Sequence, residues 1–175
     1  MARNEINVPK YEVPSTRKIV LTRTFDAPRA LVWAAWTRPE QLTRWWGPEG
    51  FSSPVCQVDL RVGGKYLFCM RSPDGKDYWS TGVYREIVEP ERLIYTDNFA
   101  DEKGNVVPAS YYGMGDDWQA DFLVTITLQE HQGRTTLTLE HVGLPEGEHS
   151  QMAAAGWNGS FDKMARALER TAREE

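Results

Sequence analysis

Apolar and polar positions alternate most strictly late in the chain. Phe122, Val124, Ile126 and Leu128 share one side of an extended segment, Leu137 and Leu139 share one side of the next, and His131-Gln132-Gly133-Arg134 is the turn between them. A first strand is expected at Lys18–Phe25, where β-branched and aromatic residues alternate in part with polar ones. Two more are expected at 54–60 and 65–70, flanking the glycine-bearing turn Arg61-Val62-Gly63-Gly64. Ser72–Lys76 then turns the chain into strands at 78–88 and 93–99, separated by Glu89-Pro90-Glu91-Arg92. The period becomes helical early and late. Asp26-Ala27-Pro28 marks a helix start, Asp26 as cap acceptor and Pro28 in the first turn, with Val32 and Trp36 on one face of a helix ending at Thr37. Pro39 opens a second short helix through Trp45, stopped by Gly47-Pro48. The last helix is expected from about Gly147 to Arg170, with Trp157, Phe161, Met164 and Leu168 at i, i+4, i+7 and i+11. About 24 helical residues extend roughly 36 Å, enough to cross a domain. Near its start, Ala153-Ala154-Ala155-Gly156 and Gly159 let another backbone come close or leave room for something else.

A run of antiparallel strands with helices segregated to the ends is an α+β arrangement rather than an alternating parallel sheet. With no internal repeat and no long linker, the 175 residues are expected to form one domain over 16–175, preceded by an extended arm over 1–15. A chain of this size buries roughly 70% of the surface its unfolded form exposes, so it needs no covalent staples. Cys56 and Cys69 accordingly read as two free thiols: pairing about Gly63-Gly64 sets Cys69 opposite Gln57 and turns Cys56 to the other side of the sheet.

Composition narrows the function classes. Hydrophobic residues at 41% and charged residues at 26% are globular values, and a net charge of −5 without a basic stripe speaks against nucleic-acid binding. Met1–Pro14 has no apolar core of a secretory signal and no run is long enough to span a bilayer, so a cytoplasmic protein is expected. Seven tryptophans and seven tyrosines are the unusual feature, many at element ends where a core alone does not require them.

The segments Phe25-Asp26-Ala27-Pro28-Arg29-Ala30-Leu31-Val32-Trp33-Ala34-Ala35-Trp36-Thr37, Trp45-Trp46-Gly47-Pro48, Asp59-Leu60-Arg61-Val62-Gly63-Gly64, Pro90-Glu91-Arg92-Leu93 and Gly156-Trp157 occur in one order. In these the chain resembles the activator of heat-shock protein 90 ATPase-like family, part of the SRPBCC or START-like superfamily. The resemblance covers residues ~17 to ~170. It implies a helix-grip fold, a curved antiparallel sheet wrapped around the long C-terminal helix with two short helices after the first strand. It also implies a cavity between helix and sheet, but no single function, because such scaffolds host transport, sensing, cyclisation and chaperone partnering. Members often carry a histidine shortly before the Gly-Trp pair. Here Ala153-Ala154-Ala155 stand there and the nearest histidine is His149, so no role is borrowed for it.

Candidate chemistry is sparse. His131, His141 and His149 are scattered without metal-ligand spacing, no nucleophile elbow occurs, and Gly63-Gly64 precedes a strand rather than a helix, so neither metal nor cofactor is expected. His131 falls in a turn, whereas His141 continues the Leu137–Leu139 side and should face the cavity either as a structural or as a ligand-contacting group. Asp97 becomes a buried acid if it shares the alternation of Leu93 and Tyr95; Asp101, Asp116 and Asp117 read as solvated loop acids. Residues 100–119 join two strands with little periodicity and carry Tyr111-Tyr112-Gly113-Met114-Gly115 and Trp118, the composition of a lid or of a loop packing its own aromatics.

The leading expectation is non-catalytic binding of a small apolar or aromatic molecule. Its wall is drawn from Trp36, Trp46, Phe68, Tyr84, Phe122, Trp157 and Phe161, its lid from Tyr111, Tyr112, Met114 and Trp118, and its polar contacts from His141 and Asp97. A cyclase or aromatase on the same scaffold is the enzymatic alternative, with His141 or Asp97 as acid/base. A module that meets a chaperone or other protein is the third, and an edge strand or the aromatic loop could support a homodimer.

Overall fold

The computed structural model describes residues 18–115, 121–145 and 147–174. The expected N-terminal arm, Asp116, Asp117 and Trp118 lie outside the described residues. Among the described residues seven strands form one antiparallel sheet: β1 (Lys18–Phe25), β2 (Ser52–Val58), β3 (Lys65–Arg71), β4 (Asp77–Val88), β5 (Arg92–Ala100), β6 (Phe122–His131) and β7 (Arg134–Val142). Their spatial order is β1-β7-β6-β5-β4-β3-β2, so β1 closes against β7 and the sheet edges are β1 and β2. Two short helices, α1 (Arg29–Thr37) and α2 (Pro39–Leu42), follow β1, and α3 (Glu148–Glu174) lies across the concave face. This is the helix-grip fold.

Alternation sets the inner face. Phe122, Val124, Ile126 and Leu128 of β6 and Leu137, Leu139 and His141 of β7 are buried, as are Phe161, Met164 and Leu168 of α3. Bulges between Ser52 and Val55 and between Tyr84 and Glu86 bend the sheet around the helix.

Several local expectations are corrected by tertiary contacts. Asp26 does not cap α1: Pro28 occupies the cap position without a side-chain bond, and the Arg29 N–H donates to Glu130 Oε1 at 2.8 Å. The cap is therefore supplied by the far end of β6. Cys69 stands opposite Val55 and Cys56 opposite Phe68, because the hairpin pairs Val58 with Tyr66 and so centres on Val62 rather than on Gly63-Gly64; both thiols are free. The segment after β5 is not featureless. Asp101 accepts the N–H groups of Lys103 and Asn105 at 2.9 Å each, Val106 bridges back to Ala100, and Ala109–Tyr112 forms a 3₁₀ turn.

Candidate ligand-binding site

The polar end of the site begins with a missing side chain. Gly82 of β4 stands opposite Tyr66 of β3, and a Cβ at Gly82 would lie 2.8 Å from the Tyr66 ring and 1.7 Å from Thr96 O. With only hydrogen there, the Tyr66 ring crosses β4 and its hydroxyl reaches β5, 2.8 Å from Asp97 Oδ1 and 3.0 Å from Thr96 O. Burial pushes the Asp97 carboxyl up to about 6, against the lowering effect of the bonds from Tyr66 and the Asn98 backbone. Burial, and then the charge of Asp97, drive the Tyr66 phenol well above its ordinary value.

The second polar group sits between β7 and α3. His141 is 6% exposed, and its Nδ1 accepts a hydrogen bond from Trp157 Nε1 at 3.0 Å. Its Nε2 is buried and has no partner among the described residues. Burial holds its pKa down at about 4, so the ring is neutral near pH 7. An unsatisfied buried group of this kind costs about 1–3 kcal/mol. Trp36 Nε1 and Tyr95 Oη are also buried without partners, but both border a seam among Trp36, Leu42, Tyr66, Phe68, Tyr84, Leu93 and Tyr95 that has no room for a water molecule. His141 differs because its side chain borders a real cavity.

That cavity has a volume of about 490 Å³, within the range of small-molecule sites. Trp46 and Trp157, edge to face with ring centres 5.7 Å apart, form its floor, and Trp46 borders both the seam and the cavity. The sheet contributes Met70, Tyr78, Ser80, Asp97, Phe99, Phe122 and His141; α3 contributes His149, Met152, Ala153, Gly156 and Ser160; Gly113, Met114 and Gly115 lie at the loop side. The small residues of α3 serve both expected purposes. Gly159 lets Glu49 N come within 3.1 Å of where a Cβ would be, while Ala153 and Gly156 leave space over the cavity. Lys163, one turn further, donates to the carbonyls of Trp46, Gly47, Pro48 and Phe51 at 2.9–3.4 Å, pinning the segment that carries Trp46.

Of the residues singled out from sequence, the cavity gathers Trp46, Asp97, Met114, Phe122, His141 and Trp157. Trp36, Phe68 and Tyr84 border the seam beneath the floor, and Phe161 is fully buried against Phe25 and Trp157. Tyr111 and Tyr112 border a different, outer recess with Trp79 and Asp101. Tyr112 is a clasp there: its hydroxyl accepts from Trp79 N and donates to Ala100 O. Met70, Phe99 and His149 also line the cavity, though none was expected there. The signals were present: Met70 and Phe99 continue the alternation of Phe68 and Asp97, and Ala153 and His149 lie one and two turns before Trp157 on the same helix face. Among the described residues no group of three or more His, Cys, Asp or Glu is placed to hold a metal ion.

The family model for Activator of Hsp90 ATPase homolog 1-like protein matches residues 26–169. The chain belongs to this family. Solved structures share the family fold over nearly the whole chain. A Chromobacterium violaceum protein is 30% identical with a TM-score of 0.73, over 87% of this chain and 97% of its own. An AHSA1 protein from Silicibacter pomeroyi is 25% identical with a TM-score of 0.70, over 88% and 99%. A Nitrosomonas europaea protein shows the same fold at 23% identity and a TM-score of 0.73, over 92% and 99%. No curated protein matches the chain. For this member of the Activator of Hsp90 ATPase homolog 1-like family, fold and family are compatible with ligand binding or protein interaction. Among the described residues no helix is long and apolar enough to cross a membrane.

Proposed function

We propose that this chain binds a small apolar or aromatic molecule between the sheet and α3 and does not transform it. The observation that carries this reading is the cavity of about 490 Å³ with an indole floor and few polar groups, His141 and Asp97 foremost. A thermal-shift screen against lipids, polyketide-like aromatics and isoprenoids tests it. A ligand at 100 times its Kd adds about 2.7 kcal/mol of apparent stability. The shift should vanish in a folded Trp157→Ala variant, which loses half the floor. Recovery of each hit unchanged by mass spectrometry is expected; a product would move the assignment to a cyclase-type enzyme using Asp97 or His141 as acid/base.

The family's name and the exposed Tyr111 and Val106 beside the outer recess favour one second reading, contact with a chaperone. Chaperone enrichment on the full chain that is lost in Tyr111→Ser would support it.

A further inference from the structure

The hydrogen-bonding polarity of the cavity's two anchors selects a class of ligand. An indole N–H can only donate, so the Trp157 contact at 3.0 Å makes His141 Nδ1 the acceptor nitrogen. In a neutral imidazole the proton then resides on Nε2, the atom that is buried, unpartnered among the described residues and part of a cavity-lining side chain. A ligand donor cannot satisfy that N–H; an acceptor oxygen can. Asp97 has the opposite polarity: Tyr66 occupies Oδ1, the residue is only half-buried and lines the same cavity, and at neutral pH the carboxylate accepts.

Register places the two anchors. Asp97 pairs with Phe122 and Val124 with His141, so both lie on one face, two strands and two residues apart, with Cα atoms about 12 Å from each other. Phe122 lies between them, its ring edge to face with His141 at 5.5 Å. Resting on the cavity reading above, we propose that the preferred ligand is an aromatic-bodied molecule with a ketone or quinone oxygen on His141 Nε2–H and a hydroxyl on Asp97. The body lies over Phe122.

Four probes on one two-ring frame separate the contributions: diphenylmethane, benzophenone, 4-hydroxydiphenylmethane and 4-hydroxybenzophenone, titrated by calorimetry into the full chain. Benzophenone should bind about tenfold more tightly than diphenylmethane, as one bond to a buried orphan donor predicts, and 4-hydroxybenzophenone most tightly. His141→Phe should keep diphenylmethane binding and lose the ketone preference, and Asp97→Ala should lose the hydroxyl preference. In wild-type protein, ¹⁵N NMR should show a protonated Nε2 whose resonance moves with benzophenone and not with diphenylmethane; this reading decides even if a variant fails to fold. Equal affinity for all four, or a proton on Nδ1, overturns the proposal and leaves the cavity reading standing. If none of the four binds, the proposal falls; if the broader screen is blank as well, the cavity reading falls with it.

Discussion

Tyr66 has one hydroxyl proton and two acceptors within 3.0 Å, Thr96 O and Asp97 Oδ1. Protonating Asp97 removes the competition, because the carboxyl can donate to Tyr66 while Tyr66 donates to Thr96. Ionising it leaves the single proton shared, and the bond still favours the charged form by donating to it. Tyr66→Phe should therefore raise the Asp97 pKa further above its value of about 6, read from the carboxyl ¹³C shift in an NMR titration. A fall would mean that the hydroxyl does not donate to Asp97. This contact could not be read from the sequence. Alternation offered Asp97 the inner face on condition that it kept step with Leu93 and Tyr95, but Tyr66 reaches it only across the gap at Gly82, and a glycine inside a strand does not announce which ring will cover it.

The segment between α2 and β2 has little regular structure, yet it carries Trp46 and half the cavity floor. Its position depends on α3: Gly159 admits Glu49, and the Lys163 ammonium collects four backbone carbonyls from Trp46, Gly47, Pro48 and Phe51. The Lys163 side chain is half-buried where it makes these bonds, and that burial lowers its pKa. Lys163→Met keeps the aliphatic stem and removes the donors. It should destabilise the fold by about 1–3 kcal/mol in urea unfolding and red-shift the tryptophan emission as Trp46 loosens. An unchanged midpoint and spectrum would show that other contacts hold the segment. The cap of α1 follows the same rule at smaller scale: Asp26 satisfies the sequence signature, but Glu130 of β6 is the group brought within 2.8 Å of the Arg29 N–H.

At the scale of the whole molecule, the two cavity groups oppose each other in how stability responds to pH. Asp97 is raised from 3.8 to about 6, so between these values the folded chain binds more protons than the unfolded one, and its contribution falls as pH rises. His141 is lowered from 6.5 to about 4, so there the unfolded chain binds more protons, and its contribution rises with pH. Each change totals about 3 kcal/mol over its full titration, about 2 kcal/mol of it between pH 4 and 6, so the two nearly cancel in that range. The wild-type-minus-variant stability for Asp97→Asn should fall by about 2 kcal/mol from pH 4 to 6, and that for His141→Gln should rise by about 2–3 kcal/mol from pH 4 to 6.5. Unfolding midpoints across that range provide the check, and pH-independent differences would show that neither group is desolvated. What the sequence by itself determined was everything that repeats along the chain: the strand and helix periods, the turn glycines, the α+β order, and through spaced motifs the family and its helix-grip fold. Period alone also aimed His141 and Trp157 inward. Which aromatics border an open cavity was decided only by tertiary structure. Trp36 and Trp46 are both buried indoles between β1 and β2, indistinguishable by residue type, but the α3 contacts set Trp46 at the partition and leave Trp36 in a seam too narrow for water. Local sequence fixes a side chain's direction; the empty volume in front of it depends on every element packed around it.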